Sequence, residues 1–239
     1  MKKLLLILLL TIPLSVQGRI YAIMIGVSEY AQSENNLLYC HSDAKKMFEL
    51  LKEYTATGGM TLLTNEDANH DNIVHYTTQL FKQSQPEDIV MFFFAGHGNA
   101  SGFLVYDKML YFSELREIFK QSKAERKMIF ADACFSENFM QEGNKPSANV
   151  GKNLLLYLSS RSDQRSLETS ALNGGVFTYY LIAGLKGEAD LNKNGKITAK
   201  ELYYYVNSKV RERTKDKQIP VMWGQFDENI IILKLDKNQ

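Results

Sequence analysis

Two residues with catalytic side chains stand directly after apolar runs of the sequence. The segment DIVMFFFAGHGN places His97 between two glycines, and the segment KMIFADACFSE places Cys134 after a small residue. A thiol needs a base to become a nucleophilic thiolate, and an imidazole suits that task. Each residue alone has a plainer interpretation, Cys134 as a small buried hydrophobic residue and His97 as a hydrogen-bonded loop residue. Their equivalent positions favour a Cys–His pair.

The glycine that follows His97 has a chemical reason of its own. Gly98 lets a peptide backbone approach closely, because it has no side chain. Its N–H can also point at the oxyanion that develops during attack on a carbonyl group. Parallel strands that are neighbours lie about 4.8 Å apart, so side chains at two adjacent strand ends come within reach of each other.

The elements that must position this pair follow from the hydrophobic periodicity. Short apolar runs, typical of buried strands, alternate with amphipathic segments of helical period. The predicted strands are 20–27, 60–64, 89–94, 128–134, 153–160 and 229–235, with a small hairpin over 101–112. The predicted helices are 42–54, 69–82, 113–122, 176–185 and 198–212. The pattern predicts one α/β domain with a mostly parallel sheet of about six strands, covered by helices on both faces. In such sheets reactive groups collect at the carboxyl ends of the strands.

The bulk composition excludes some classes of function. The chain of 239 residues is 45% hydrophobic and 23% charged, with a formal net charge of +1. These values are ordinary for one sizeable globular domain, and they leave no electrostatic footprint for nucleic acid or a membrane surface. We therefore expect no nucleic-acid partner.

The first 18 residues have the layout of a signal peptide. Lys2 and Lys3 precede the apolar run LLLILLLTIPLSV, and small residues close the segment. The run is short for a membrane span, which needs about 20 residues. We expect removal of residues 1–18 and export of residues 19–239 to the periplasm or the exterior, with no membrane contact afterwards. A retained N-terminal anchor helix is the alternative.

The chain resembles the caspase-like cysteine peptidases, and most closely the bacterial members and the metacaspases. The resemblance rests on the ordered segments YAIMIGVSEY, LYCHSDAKKMFELL, DIVMFFFAGHG, KMIFADACFSE, LYLSSRSDQRSLE and GVFTYYLIAGLKG. It implies the caspase–haemoglobinase fold, protein or peptide substrates, and chemistry that requires no cofactor. It also implies that His97 is the acid/base, that Cys134 is the nucleophile, and that the backbone N–H groups of Gly98 and Cys134 form the oxyanion hole.

Two acidic residues set the chain apart from the animal caspases. Asp132 stands two residues before the cysteine, where caspases have glutamine, and Asp43 in CHSDA matches the acidic residue of a metacaspase motif. Carboxylates attract cationic side chains and accept hydrogen bonds from them. We therefore predict cleavage after Arg or Lys rather than after Asp. The alternatives are a residue favoured by a helix dipole for Asp43 and a carboxylate that orients backbone amides for Asp132.

The segment after Cys134 divides the domain in two. Residues 136–151 are rich in Ser, Asn, Gly and Pro, which is typical of an exposed loop. The resemblance implies a large-subunit-like part to about 137, a loop over 138–152 and a small-subunit-like part over 153–239. Lys145 and Lys152 are sites that an enzyme of the predicted specificity could cut in its own chain.

Cys40 is the second of the two cysteines, and its role stays open. It lies three residues before Asp43. Inert packing, a spare thiol beside the site, and a regulatory disulfide with Cys134 all fit the sequence.

A second motif lies in the small-subunit-like part. The stretch DLNKNGKITAKE, residues 190–201, fits the EF-hand loop template at every defined position. Its oxygen ligands would be Asp190, Asn192, Asn194, the Lys196 carbonyl and Glu201. The motif predicts a calcium site, and an Asx-type turn that caps the following helix is the alternative.

Together these features predict an exported cysteine endopeptidase with a Cys–His dyad, calcium-modulated and self-processing. The alternative is a catalytically silent caspase-like module that binds a partner or calcium, because a fold can persist after its activity is lost. The oligomeric state is left open.

Overall fold

The structure, a computed structural model, describes residues 18–54, 57–99, 101–133, 141–142, 145–146, 154–160, 167–224 and 226–235. The strands are β1 Ile20–Gly26, β2 Thr57–Thr64, β3 Ile89–Ala95, β4 Gly98–Asn99, β5 Gly102–Leu104, β6 Met109–Tyr111, β7 Arg126–Asp132, β8 Gln141–Glu142, β9 Lys145–Pro146, β10 Leu154–Leu158, β11 Glu168–Thr169, β12 Gly174–Gly175, β13 Lys196–Thr198, β14 Val221–Gly224 and β15 Ile231–Lys234. The α-helices are α1 Cys40–Tyr54, α2 His70–Lys82, α3 Phe112–Lys120, α4 Val176–Ala183 and α5 Ala199–Thr214.

A six-stranded sheet forms the centre of the molecule, in the order β14-β10-β7-β3-β1-β2. The pairs among β10, β7, β3, β1 and β2 are all parallel, and β14 alone pairs antiparallel, with β10. The predicted α/β class and the mostly parallel sheet of about six strands are confirmed. Because the five parallel strands point the same way, their carboxyl ends meet along one edge.

The sixth strand of this sheet is not the segment that the apolar pattern suggested. The strand predicted at 229–235 exists as β15, but it pairs with β13 in a separate two-stranded sheet. The sheet is completed instead by β14, whose sequence VMWG is short and lies at the edge. An edge strand with one partner and half-exposed side chains lacks the continuous apolar run that marks a central strand.

Helices cover both faces of the sheet and account for its continuous apolar strands. Alternate residues of β3 point to opposite faces, so Phe93 joins one core cluster and Phe92 and Phe94 join the other. Helices α1, α4 and α5 pack on the first face, and α2 and α3 pack on the second. Both faces of β3 are therefore fully buried.

The loops above the carboxyl edge carry the predicted hairpin. Strands β5 and β6 pair antiparallel, and β4 adds to them directly after His97. Helix α2 is capped by Asn69, whose side chain accepts from the Asn72 N–H. Helix α3 begins at Phe112, with Tyr111 at the cap position.

Several predicted features lie outside the described residues. They include residues 1–17 of the export segment, the nucleophile Cys134, and most of the 138–152 loop with Lys152. Within the part of the chain that the structure describes, no helix is long and apolar enough to cross a membrane.

Candidate active site

The register between β3 and β7 aligns the two strand ends that precede the predicted catalytic residues in the sequence. Ala95, the last residue of β3, is the partner of Asp132, the last residue of β7. His97 lies two residues beyond Ala95, and Cys134 lies two residues beyond Asp132 in the sequence. The Gly96 N–H donates to the Asp132 carbonyl at 3.2 Å, so the hydrogen bonding between the two strands continues beyond the Ala95–Asp132 pair. Cys134 itself is outside the described residues.

His97 is fixed through its backbone and its ring. Its N–H donates to the Tyr30 hydroxyl at 2.9 Å, and its carbonyl accepts from the Leu104 N–H at 2.9 Å. The ring Nε2 lies 2.9 Å from the Asn35 carbonyl oxygen. A carbonyl can only accept, so Nε2 carries the proton and Nδ1 of the neutral ring is left as the basic nitrogen. In this tautomer Nδ1 is the nitrogen that can accept a proton.

The end of β7 is held from the neighbouring strand. The Ser159 hydroxyl, just after β10, accepts from the Ala133 N–H at 3.2 Å and donates to the Ala133 carbonyl at 3.1 Å. The fully buried Gln218 side chain donates to the Ser159 carbonyl at 2.9 Å. Buried polar groups are tolerated where they are hydrogen-bonded in this way. The residue immediately before Cys134 is therefore tied down at both of its backbone polar groups.

The predicted acidic pair comes together around one glycine. A Cβ on Gly175 would lie 2.3 Å from Asp132 Oδ2 and 3.3 Å from Asp43 Oδ2, so the two carboxylates face the same backbone position. Asp43 Oδ2 accepts from the Gly175 N–H at 2.7 Å. Asp132 Oδ2 accepts from Thr178, from the N–H at 3.2 Å and from the hydroxyl at 2.7 Å. Any residue larger than glycine would collide with this pair.

These carboxylates lie deeper than their types alone suggest. Asp43 is 2% exposed and Asp132 is 6% exposed, whereas Lys46 on the outer side is half exposed and lies 3.1 Å from Asp43 Oδ1. Burial raises the pKa of the Asp43 carboxyl to about 7, and the charge of Asp132 adds to the rise. The Gly175 N–H and Lys46 act in the opposite direction without cancelling it. Asp43 therefore titrates near neutral pH.

The same contacts give the acidic pair a structural role. Gly175 is the N-cap of α4 and Thr178 lies in its first turn, so both carboxylates accept from the start of that helix. Helix N-termini favour negative charge. The orienting role that the sequence left open for Asp132 is present.

Cys40 is a buried free thiol. Its Sγ donates to Glu168 Oε1 at 3.2 Å, and the Leu38 and Tyr39 N–H groups donate to the same carboxylate at 3.1 Å each. Burial raises the pKa of the Cys40 thiol, and the negative charge of Glu168 adds to this effect. The thiol form is therefore favoured, which fits packing rather than chemistry.

Sequence reasoning missed the β11–β12 hairpin as a wall of this site. Glu168 on β11 accepts from the Tyr39 N–H just before α1, and Gly175, its partner on β12, donates to Asp43. Lys46 also donates to the Asn173 carbonyl. The only sequence signal was the pair of glycines before VFTYYL, because nothing about an isolated Glu168 indicates that it caps a distant helix.

The loop of residues 190–201 is closed by hydrogen bonds among its own residues. Asp190 accepts from the Asn194 N–H at 3.1 Å and the Gly195 N–H at 2.9 Å, and Asn194 Oδ1 accepts from the Lys196 N–H at 2.8 Å. Asn192 donates to the Glu201 carboxylate, so both ends of the loop converge. Gly195 has a φ of 75°, as the sharp turn requires.

The same loop also fits the alternative interpretation, a turn that caps the following helix. The Thr198 N–H and hydroxyl donate to Glu201 Oε2 at 3.0 and 2.8 Å, and Thr198 accepts from the Glu201 N–H. This is a capping box at the start of α5. The described residues contain no group of three or more His, Cys, Asp and Glu side chains placed for a metal ion. The oxygen donors of the loop, two carboxylates and two carboxamides, fit a hard cation such as calcium.

Comparison with known proteins defines the class to which this fold and site belong. The family model for the caspase domain matches residues 19–230, so the chain belongs to the caspase-domain peptidase family, whose members act on protein substrates. Metacaspase-1 from Debaryomyces hansenii is 28% identical over 99 residues, which make up 38% of this chain and 22% of that protein. The match therefore spans about a fifth of that relative.

Solved structures share the fold over almost the whole chain. Protein GSU0716 from Geobacter sulfurreducens has a TM-score of 0.68 at 16% identity, over 92% of this chain and 98% of its own. Caspase-1 from Spodoptera frugiperda has a TM-score of 0.69 at 14% identity, over 93% of each chain. The caspase-like fold that the resemblance implied is confirmed.

Proposed function

We propose that this protein is an exported cysteine endopeptidase that cleaves after Arg or Lys through a Cys134–His97 dyad. The observation that carries the proposal is the state of His97, because its Nε2–H is bonded to the Asn35 carbonyl and Nδ1 remains as a base. Membership of the caspase-domain family supports the reaction class.

The proposed reaction is acyl transfer to the cysteine followed by hydrolysis. His97 takes the Cys134 proton, and the thiolate attacks the peptide carbonyl. The backbone N–H groups of Gly98 and Cys134 bind the oxyanion, and His97 then protonates the leaving amine. Water releases the acyl group and regenerates the thiol. No metal or cofactor takes part in these bond changes.

The proposed specificity rests on Asp43 and Asp132. They are two buried carboxylates around Gly175, and Lys46 already brings a cation to the outer side of Asp43. A basic substrate side chain would compensate the negative charge of the two carboxylates. Its binding would thereby offset the free-energy cost of burying two like charges.

The decisive experiment is peptide hydrolysis by the purified protein under reducing conditions. Peptides with Arg, Lys or Asp before the scissile bond are compared in the wild type, in Cys134→Ala and in Cys40→Ala, with and without calcium. We expect turnover of the Arg and Lys peptides, its loss in Cys134→Ala and its retention in Cys40→Ala. Activity that survives Cys134→Ala would sink the proposal, and faster turnover of the Asp peptide would sink the specificity alone.

Export and self-processing form a further part of the proposal. Removal of residues 1–18 would leave a mature chain that begins at Arg19, and cleavage after Lys145 or Lys152 would divide it in two. Mass spectrometry of the secreted wild type and of Cys134→Ala reports both events. We expect the same N-terminus in both proteins and the internal cut only in the wild type.

Calcium modulation is proposed for the 190–201 loop. Asp190, Asn192, Asn194, the Lys196 carbonyl and Glu201 would hold the ion, as the convergence of the Asn192 and Glu201 side chains supports. The bound ion would fix the start of α5 in the small-subunit-like part.

A further inference from the structure

The loop between β1 and α1 meets His97 at two separate points. The Tyr30 hydroxyl accepts the His97 N–H at 2.9 Å, and the Asn35 carbonyl lies 2.9 Å from His97 Nε2. The ring centroids of Tyr30 and His97 are 5.3 Å apart. One short segment therefore controls both the backbone position and the ring orientation of the histidine.

The approach of Tyr30 depends on the glycine before the histidine. A Cβ on Gly96 would lie 2.8 Å from the Tyr30 hydroxyl oxygen and 2.8 Å from the Phe94 ring. Tyr30 is 5% exposed, so its hydroxyl is a buried polar group whose bond to His97 is not exchanged for water. The absence of a side chain at Gly96, the first glycine of AGHG, therefore leaves the space that the Tyr30 hydroxyl occupies.

The loop is itself anchored, so it can act as a rigid holder. The Tyr30 N–H donates to Asn36 Oδ1 at 2.9 Å, and the Ala31 N–H donates to the Tyr106 carbonyl at 3.0 Å. Asn65 Oδ1 accepts the Ser28 N–H at 3.0 Å. These bonds tie the loop to itself, to the turn before β6 and to the end of β2.

We propose that Tyr30 is a positioning residue for His97, and that Asn36 supports it by fixing the loop that presents the Asn35 carbonyl. The inference rests on the proposed peptidase function for its kinetic consequence. We call the contacts of Tyr30 and the Asn35 carbonyl with His97 the clamp. Misplacing a general base by about 1 Å can lower the reaction rate roughly a hundredfold, so loss of the clamp should lower kcat rather than weaken substrate binding.

The test compares Tyr30→Phe with Tyr21→Phe, which removes a phenol hydroxyl of similar burial at the other end of β1. We expect Tyr30→Phe to lower kcat for an Arg peptide roughly ten- to a hundredfold while KM changes little. Tyr21→Phe should keep the wild-type kcat. Asn36→Ala should lower kcat by a smaller factor, and Asn36→Asp, which retains the acceptor oxygen, should restore it.

A second measurement does not depend on activity. Proton–nitrogen NMR of the imidazoles, with the His97 signals assigned through His97→Ala, reports the tautomer directly. We expect a single Nε2–H form in the wild type and a mixture of tautomers in Tyr30→Phe. If the wild type shows no Cys134-dependent hydrolysis, the proposed function fails and the NMR result alone decides the clamp. Equal losses of kcat and of melting temperature in both Tyr→Phe variants, or an unchanged tautomer with unchanged kcat, overturn it.

Discussion

Two pairs of acidic residues in this protein are held in opposite ways. Asp43 and Asp132 are buried at the carboxyl edge of the sheet, and each accepts from the start of α4. Asp190 and Glu201 lie near the surface, and they accept from amides and a hydroxyl of their own loop. The first pair has to be desolvated, whereas the second remains close to water.

This difference separates residues that cost stability from residues that provide it. A buried carboxylate with a raised pKa destabilises the folded chain at neutral pH, and such sites cluster where a protein binds or reacts. A surface carboxylate that caps its own loop stabilises the fold directly. We therefore expect substitutions at the sheet edge to change activity most, and substitutions in the loop to change stability, ion binding and the response of activity to calcium.

The largest effect is expected at the base itself. His97→Ala should lower kcat for an Arg peptide by about a thousandfold or more, because general-base catalysis and activation of the thiol are lost together. Steady-state kinetics measures it. His75→Ala, which removes a histidine from the middle of α2, is the matched control and should leave kcat unchanged. Comparable rates in the two variants would remove His97 from the mechanism.

The acidic pair should show the next largest effect, and it should depend on the substrate. Asp132→Asn is expected to lower kcat/KM for Arg peptides by about a hundredfold, because a buried charge partner of the substrate is lost. Asp88→Asn is the matched control, since Asp88 is 4% exposed at the opposite end of the sheet and accepts from the Arg19 and Gln85 N–H groups. Equal losses in both variants would show that Asp132 is only a buried structural carboxylate.

How much of this site the sequence could predict depends on whether a contact follows from a local sequence pattern or joins residues that are far apart in the sequence. His97 and Asp132 follow apolar runs, so local pattern and parallel pairing were enough to bring their strands together. Glu168 and Tyr30 act through hydrogen bonds to residues far along the chain, and no local period of the sequence indicates such contacts. The edge strand β14 was not predicted for a related reason. A strand with only one neighbouring strand can form without a continuous apolar run.

A pH-dependent stability difference should isolate Asp43. Because its pKa is raised to about 7 in the folded protein, against about 3.9 in the unfolded chain, the folded state holds an extra proton between these values. That contribution to stability is largest below the unfolded pKa and is lost as the pH rises through 7. Between pH 5 and pH 8 the loss amounts to roughly 2.6 kcal/mol.

Asp43→Asn removes this titration and should be more stable than the wild type at pH 8, relative to pH 5, by that amount. Denaturant unfolding at the two pH values measures the difference, with Asp88→Asn as the control. The same variant should bind Arg peptides more weakly, so stability and activity move in opposite directions. A difference from the wild type that is identical at both pH values would show that burial of Asp43 carries no such cost.

The smallest expected effect belongs to the surface loop and tests the other side of the comparison. With two carboxylates and two carboxamides, calcium binding there should have a Kd of about 1 mM, in the range of weak EF-hand-type sites. At about tenfold excess over Kd, the bound ion would stabilise the fold by about 1.4 kcal/mol.

Asp190→Ala should abolish both the calorimetric binding signal and the calcium-dependent rise in melting temperature. The control is Asp216→Asn, which changes an exposed carboxylate paired with Arg211 outside the loop and should keep both. Since neither variant touches the sheet edge, kcat without calcium should stay at the wild-type value. If Asp190→Ala instead lowers calcium-free kcat as far as Asp132→Asn does, the division between a costly functional edge and a self-supporting loop is wrong.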